Sequence, residues 1–245
     1  MRVLLTRPIA ESERLAALLR CRGHEPVLSP VMEIRFFDGP PLRLDGVQAV
    51  LVTSANGVRA LARRTAVRDV PLFAVGPQTD EAARATGCVN VEPADGDAGT
   101  LVETVQRSMH PKNGALLLAT GRTRTGDVDK QLAAAGFTMR VAELYDAVEM
   151  PQLSAAAAKA LATGDIDAVM LFSPRSAALF ARQMQSAKLN QKCERMIALC
   201  ISESTAAALS PIRFAVRLVA HRPDRDAMLQ LLDDAAAQLS ASGLP

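Results

Sequence analysis

The segment TSANGVRAL, residues 53–61, resembles a second segment, FSPRSAALF, residues 172–180. A short apolar run precedes each segment, AVLV in the first case and AVML in the second. A buried apolar run that leads through Ser or Thr into an alanine-rich stretch is typical of a strand followed by a helix. The same strand-to-helix step therefore occurs twice in the chain.

The sequences around these two segments repeat in the same order. Three further pairs correspond: AVGPQTDEAARATG from Ala74 with CISESTAAALSP from Cys200, DAGTLVETV from Asp97 with RDAMLQLL from Arg225, and LLTRP from Leu4 with LLLATGR from Leu116. The repeated unit is about a hundred residues long, whereas solenoid repeats span only about 20 to 50. We therefore expect two related domains.

Apolar runs rich in Val, Leu and Ile alternate with alanine-rich stretches along the whole chain. This alternation predicts an α/β fold in which helices flank parallel sheets on both faces. The predicted strands lie near residues 2–6, 25–34, 48–53, 71–75, 115–119, 138–147, 167–172, 196–201 and 216–220.

Two domain arrangements fit the repeat. In a tandem arrangement, the first domain ends near residue 110 and the second begins near residue 115. However, EPVLSPVMEIRFF from Glu25 and MRVAELYDAVEM from Met139 occupy equivalent places and predict unusually long strands, which could cross between the domains as a two-stranded linker. The domains would then comprise residues 1–36 plus 149–245 and residues 38–145, with linker strands near 30–38 and 140–149. The sequence pattern alone leaves both arrangements open.

The composition excludes several classes of protein. The 245 residues are 49% hydrophobic and 22% charged, as in ordinary folded domains. The net charge of +2 and an aromatic content of 3% without Trp argue against a nucleic-acid partner. We find no apolar stretch of the roughly 18 residues that a membrane span needs, and the apolar part of MRVLLTRP is too short for a signal peptide. We therefore expect a cytoplasmic protein with no membrane partner, and a monomer because no apolar interface stripe stands out.

The chemistry-bearing residues do not form a cofactor motif. The four cysteines are scattered without a CxxC pair, and the three histidines are isolated. The segment GRTRTGD from Gly121 resembles the start of a P-loop, but Asp127 stands where the phosphate-binding lysine is needed. We therefore expect no metal, no nucleotide and no other cofactor.

Polar residues open the helices that follow four of the predicted strands. These junctions are Thr53–Asn56, Gly76–Thr79, Ser173–Ser176 and Ser202–Thr205. In a parallel sheet they lie at the carboxyl ends of the strands, where helix N-termini favour anionic ligands. Four arginines at or beside such junctions would strengthen this preference: Arg7, Arg122, Arg124 and Arg175. Ordinary helix caps and surface arginines would give the same pattern, so an anion site and plain capping both stay open.

Tyr145 is the only tyrosine of the chain and lies on the second long predicted strand. A single tyrosine in a strand usually packs its ring and exposes its hydroxyl. Its position on a strand that could connect two domains also makes it a candidate for catalysis.

The whole chain resembles the uroporphyrinogen-III synthases. The resemblance is carried, in this order, by LLTRP, VLVTSANGVRAL, PLFAVGPQTDEAA, the strand that contains Tyr145, MLFSPRSAALF and ISESTAAAL. It implies two α/β domains joined by a two-stranded linker, with the first domain built from both chain ends. It therefore favours the interleaved arrangement, in which Ser54 and Ser173 would face each other across a substrate cleft.

The resemblance also implies a reaction in tetrapyrrole biosynthesis. Such an enzyme removes water from hydroxymethylbilane and closes the ring with inversion of ring D, giving uroporphyrinogen III without metal or cofactor. It further implies that Tyr145 is the general acid and that the protein makes transient contact with hydroxymethylbilane synthase. The eight carboxylates of the substrate match the helix N-termini and arginines, so we expect these residues to bind it: Arg7, Ser54, Thr79, Arg122, Ser173, Arg175, Ser176, Ser202 and Thr205.

Two other classes stay open from the residues alone. One is a non-catalytic two-domain α/β protein that binds an acidic small molecule. The other is a glycosyltransferase-like enzyme, although the short loops leave little room for a nucleotide sugar. Incubation with hydroxymethylbilane would separate the three, because only the synthase gives the type III isomer.

Overall fold

A computed structural model describes residues 1–94, 98–123 and 126–242 of the chain. It confirms the predicted α/β class, in which helices flank parallel-dominated sheets. The described strands are Arg2–Leu5 (β1), Glu25–Leu28 (β2), Met32–Phe36 (β3), Val47–Val52 (β4), Leu72–Val75 (β5), Val91–Ala94 (β6), Ala115–Gly121 (β7), Met139–Glu149 (β8), Ala168–Leu171 (β9), Ile197–Cys200 (β10) and Val216–Val219 (β11). The helices are Ile9–Cys21 (α1), Ala55–Arg64 (α2), Pro77–Ala85 (α3), Ala98–Ser108 (α4), Val128–Ala134 (α5), Ala155–Thr163 (α6), Pro174–Ser186 (α7), Glu203–Ala207 (α8) and Arg225–Ser242 (α9).

The chain divides into two compact units. The first combines Met1–Glu33 with the residues from Val148 onward, and the second comprises Ile34–Ala147. The chain passes from one unit to the other within β3 and again within β8. Among the described residues, no helix is both long and apolar enough to cross a membrane.

The first unit contains a five-stranded sheet in the order β2-β1-β9-β10-β11, with all neighbours parallel. Successive side chains of β1 point to opposite faces, as the period of two in a strand requires. Leu4 packs with α6, α7 and α8, whereas Val3 and Leu5 pack with α1 and α9. The sheet is therefore buried on both faces, which explains why its strands are almost entirely apolar.

The second unit repeats this architecture. Its sheet has the order β3-β8-β7-β4-β5-β6, and β8-β7-β4-β5-β6 is parallel throughout. One face packs with α2 and α3, and the other packs with α4 and α5. Each unit thus contains a strand-helix-strand-helix-strand segment, β4 to β6 or β9 to β11, which corresponds to the repeated sequences. The sequence repeat is therefore a repeat of sheet topology.

The single long strand predicted over residues 25–34 is wrong. The structure divides it into β2 and β3, which belong to different sheets. Beyond β2 the backbone still follows β1, because Ser29 N–H donates to Leu5 O at 2.9 Å and Val31 N–H donates to Thr6 O at 3.1 Å. Pro30 lies between them and has no N–H to donate, so the regular ladder ends there.

Strand β6 was missed by the sequence analysis. Its sequence, VEPA, is half exposed and contains Glu92 and Pro93, so it lacks the apolar run that marks the other strands. β6 lies at one edge of its sheet. A proline is tolerated at an edge because its missing N–H can face away from the neighbouring strand.

Candidate active site

Each sheet has one position at which the strand order reverses, and several candidate site residues lie at these positions. In the first unit, β1 leads into α1 on one face while its neighbour β9 leads into α7 on the other. In the second unit, β7 and β4 lead to α5 and α2 in the same way. α/β folds commonly bind ligands at the carboxyl ends of strands whose connections diverge in this way.

In the second unit, the Tyr145 hydroxyl lies 2.8 Å from the Oγ of Ser54. Tyr145 lies on β8, and Ser54 is the N-cap residue of α2, directly beyond β4. The Ser54 Oγ also accepts a hydrogen bond from the Gly57 N–H at 3.1 Å. The sequence analysis selected Tyr145 and Ser54 separately, as general acid and as substrate ligand, and the structure brings them into direct contact.

Two glycines permit this contact. Tyr145 pairs with Gly121 of β7, the strand between β8 and β4, and its ring lies against that glycine. A Cβ at Gly121 would lie only 2.8 Å from Cε2 and 2.9 Å from Cζ of the ring. A Cβ at Gly57 would lie 2.9 Å from the carbonyl oxygen of Ala119, so the first turn of α2 also depends on a missing side chain. Glycine within a strand often marks such a close approach, and this signal was available at Gly121 but was not used.

The surroundings of Tyr145 act on the pKa of its phenol in opposite directions. Partial burial raises the pKa because it disfavours the charged phenolate, and the hydrogen bond with Ser54 lowers it by a smaller amount. At neutral pH, therefore, Tyr145 is protonated and has a proton to donate. Its hydroxyl has a defined partner on the protein.

Arg122 borders the same site. Its backbone N–H donates to the carbonyl oxygen of Tyr145 at 2.8 Å, which fixes the chain directly after β7. Its guanidinium lies over the ring of Phe37, 4.7 Å from the ring centroid, and Nη1 lies 3.9 Å from the Oδ2 of Asp146. The Arg122 side chain remains 63% exposed, so it is accessible to an anionic ligand. Arg124, which the sequence analysis grouped with it, lies outside the described residues.

The first unit has a similar arrangement at its own reversal of strand order. The guanidinium of Arg7, beyond β1, lies 4.7 Å from the ring centroid of Phe172, beyond β9. Ser173 caps α7 and accepts from the Ser176 N–H at 3.1 Å, the same cap geometry as in Ser54. Its hydroxyl partner is different, since it lies 2.9 Å from the Oγ of Ser176. Arg175 is exposed on the first turn of the helix, whereas Ser176 is buried.

The two threonines selected from the sequence are enclosed. Thr79 is 4% exposed and Thr205 is fully buried. The Thr205 hydroxyl lies 2.9 Å from the Oγ of Ser202, the N-cap residue of α8. Gln78 and Ser204, which precede the two threonines, are exposed. A ligand would therefore contact the exposed residues and the backbone of the first turns of α3 and α8. The two buried threonines would stabilise these turns from the interior.

The described residues contain no group of three or more His, Cys, Asp or Glu side chains placed to hold a metal ion. Cys193 and Cys200 are buried, and burial raises the pKa of their thiols to about 12 and about 11. Such thiols are protonated at neutral pH and are poor nucleophiles.

Comparison with known proteins identifies the family. A uroporphyrinogen-III synthase from Helicobacter pylori superposes with a TM-score of 0.62 at 15% identity, covering 96% of this chain and 100% of the other. A mutant uroporphyrinogen III synthase from Thermus thermophilus gives a TM-score of 0.53 at 18% identity, with coverages of 97% and 99%. At such identities the likeness concerns the fold, and no curated protein sequence matches the chain. A family model described as uroporphyrinogen-III synthase HemD, however, matches residues 13–230, so the chain belongs to this family.

Proposed function

We propose that this protein is a uroporphyrinogen-III synthase, a lyase of tetrapyrrole biosynthesis. It would remove water from hydroxymethylbilane and close the ring with inversion of ring D to give uroporphyrinogen III. The observation that carries the proposal is the match of the family model over residues 13–230. The protonated Tyr145 at the carboxyl end of its sheet is the group that could begin the reaction.

In the first step, Tyr145 donates its proton to the hydroxyl on the ring A methylene. The carbon–oxygen bond then breaks, water leaves, and ring A becomes an electrophilic azafulvene cation. A general acid placed within hydrogen-bonding reach of a leaving group typically contributes about 10² to 10⁴ in rate. Tyr145 has the required protonation state at neutral pH, and burial raises its pKa further above its ordinary value.

The later steps depend mainly on the position of the substrate. The substituted carbon of ring D attacks the cation to form a spiro intermediate, which then breaks and closes in the inverted sense. Ring D loses a proton on the final closure, and this proton restores the acid, so the reaction releases one water molecule and no net proton. Free hydroxymethylbilane closes unaided to the type I isomer, and holding the reactive ends in place can supply about 7 to 11 kcal/mol.

In each unit, an arginine and the neighbouring helix start offer donors suited to a carboxylate of the substrate. Arg7 and Arg122 are each stacked on a phenylalanine ring, which restricts their motion before a ligand arrives. The first turns of α2 and α7 add N–H groups and the positive end of a helix dipole. We propose Ser54, Ser173 and Arg175 as members of this set, together with Thr79, Ser176, Ser202 and Thr205 as residues that shape the helix starts.

The proposal is tested by incubating the purified protein with freshly prepared hydroxymethylbilane. The products are oxidised to porphyrins and the isomers are separated by chromatography. We expect the type III isomer to form faster than the spontaneous type I product. If only the type I isomer appears, at the spontaneous rate, the chain is not a synthase, and a non-catalytic protein that binds acidic small molecules becomes the better interpretation.

A further inference from the structure

The hydroxyl of Ser54 has two protein partners and can serve both at once. A serine hydroxyl carries one proton and two acceptor lone pairs. The Gly57 N–H occupies one lone pair at 3.1 Å, which is the ordinary N-cap interaction of α2. The hydroxyl proton and the second lone pair are left for the oxygen of Tyr145, 2.8 Å away. Ser54 can therefore accept a hydrogen bond from a neutral phenol or donate one to a phenolate without losing its cap.

The backbone holds the two oxygens at this distance. Gly121 lets the tyrosine ring lie directly against β7, and Gly57 lets the first turn of α2 approach the carbonyl oxygen of Ala119 on the same strand. A side chain at either glycine would shift the ring or the helix start. The separation between Ser54 Oγ and Tyr145 Oη is thus fixed by elements on both sides of β7.

In the first unit, the equivalent serine, Ser173, contacts a different hydroxyl. Ser173 caps α7 with the same 3.1 Å bond, but its hydroxyl meets the hydroxyl of Ser176. A capping role accounts for both of these protein contacts of Ser173. It does not explain why Ser54 also contacts the only tyrosine of the chain, which the proposed mechanism uses as its acid.

We propose that Ser54 is a positioning residue for Tyr145, in addition to its role as a helix cap. Its hydroxyl orients the neutral phenol and then donates a hydrogen bond to the phenolate oxygen that remains when Tyr145 gives its proton to the leaving hydroxyl. No further proton donor or acceptor is needed, because the proton that ring D loses on closure returns to the phenolate. This inference rests on the proposed function.

Three charged residues lie close to Tyr145 along β7 and β8. Asp146 follows it on β8 and Arg122 follows β7, and these two lie 3.9 Å from each other. Glu143 lies two residues earlier on the same strand and is exposed. The hydrogen bond with Ser54 is the interaction that opposes the effect of burial on the phenol.

The single tyrosine and the absence of tryptophan make the test direct, because near-ultraviolet phenolate absorbance reports Tyr145 alone. Ser54→Gly removes the hydroxyl, and glycine costs a helix start only a few tenths of a kcal/mol relative to serine. Ser54→Thr keeps the hydroxyl and the cap. Ser154→Ala is the control, because Ser154 also caps a helix, α6, by accepting from the Ala157 N–H at 3.2 Å, and belongs to the first unit.

For Ser54→Gly we expect the tyrosine to titrate at higher pH than in the wild type. The value of kcat should fall about ten- to a hundredfold, as expected for loss of a hydrogen bond to a charged group. KM should change little, because glycine keeps the backbone N–H groups with which the start of α2 would bind a carboxylate. Ser54→Thr should restore both quantities, and Ser154→Ala should change neither. Circular dichroism and thermal unfolding establish that each variant is folded.

Two results would overturn the inference. One is a wild-type titration curve in folded Ser54→Gly. The other is a loss of kcat that Ser154→Ala reproduces, since that would reflect helix stability alone. Failure of the proposed function looks different: the wild-type protein would give no type III isomer, while the titration would still decide whether Ser54 controls the phenol.

Discussion

Gly121→Ala is the substitution whose effect can best be worked out from the structure. The new Cβ would lie 2.8 Å from Cε2 of Tyr145, whereas ordinary van der Waals contact begins at 3.4 Å. The ring must therefore retreat by about 0.6 Å, because β7 is a central strand and its backbone is held on both sides. The same displacement would lengthen the 2.8 Å bond to Ser54 beyond the usual range of about 2.5–3.0 Å.

Two consequences are expected. Overpacking should destabilise the protein by about 1–3 kcal/mol, measured by denaturant unfolding. The displaced acid should lower kcat by about ten- to a hundredfold, since an error of about 1 Å at a reacting group can cost about 10². The fraction of type III isomer should stay high, because substrate position and not the acid decides ring inversion.

A double-mutant cycle with Tyr145→Phe separates the two consequences. Phenylalanine keeps the ring, so the cost in stability of Gly121→Ala should be the same in the Tyr145→Phe background. It lacks the hydroxyl, so the additional loss of kcat should disappear. If Gly121→Ala lowers kcat equally in both backgrounds, the glycine does not act through the tyrosine hydroxyl and the reasoning is refuted.

Three further predictions concern other residues. Tyr145→Phe alone should lower kcat by about tenfold or more while the type III isomer still forms, and unchanged turnover would remove Tyr145 as the acid. Thr205→Val should cost about 1 kcal/mol of stability and weaken substrate binding only modestly in titration calorimetry, whereas complete loss of binding would argue against capture by the backbone. Burial raises the pKa values of Cys193 and Cys200 to about 12 and about 11, above the value of 9.0 for a free thiol. The folded state therefore keeps protons that the unfolded state loses, and the free energy of unfolding should fall as the pH rises from about 9. Replacing both cysteines with alanine should flatten this decline in urea titrations.

The fold could be predicted largely because its strands are buried on both faces. A run such as AVML contains no polar residue, since helices cover both sides of β9, and a serine cap follows immediately. Repetition of this pattern predicted the repeated topology. The predictions failed where burial does not mark the strand. β6 is a half-exposed edge strand, and the division between β2 and β3 depends on Pro30 and on hydrogen bonds to β1.

The candidate site was harder to predict than the fold. Tyr145 and Ser54 could each be selected, one as the only tyrosine and the other as a helix cap. Their contact could not, because 91 residues separate them and the 2.8 Å distance depends on the register of β8 against β7. Likewise, the stacking of Arg7 on Phe172 requires the carboxyl ends of β1 and β9 to be neighbours. Sequence spacing carries no information about such pairings across a sheet.

The comparison of the two halves explains why the tyrosine ring fits in only one of them. Both halves have an arginine stacked 4.7 Å from a phenylalanine ring and a serine cap with a 3.1 Å bond. The residue before the arginine differs, since it is Thr6 in the first unit and Gly121 in the second. The side chain of Thr6 is fully buried and donates to the carbonyl oxygen of Met170 at 3.1 Å, whereas Gly121 leaves its place to the ring of Tyr145. The two halves thus have similar strand ends, and the absence of a single side chain makes room for a phenol at one of them.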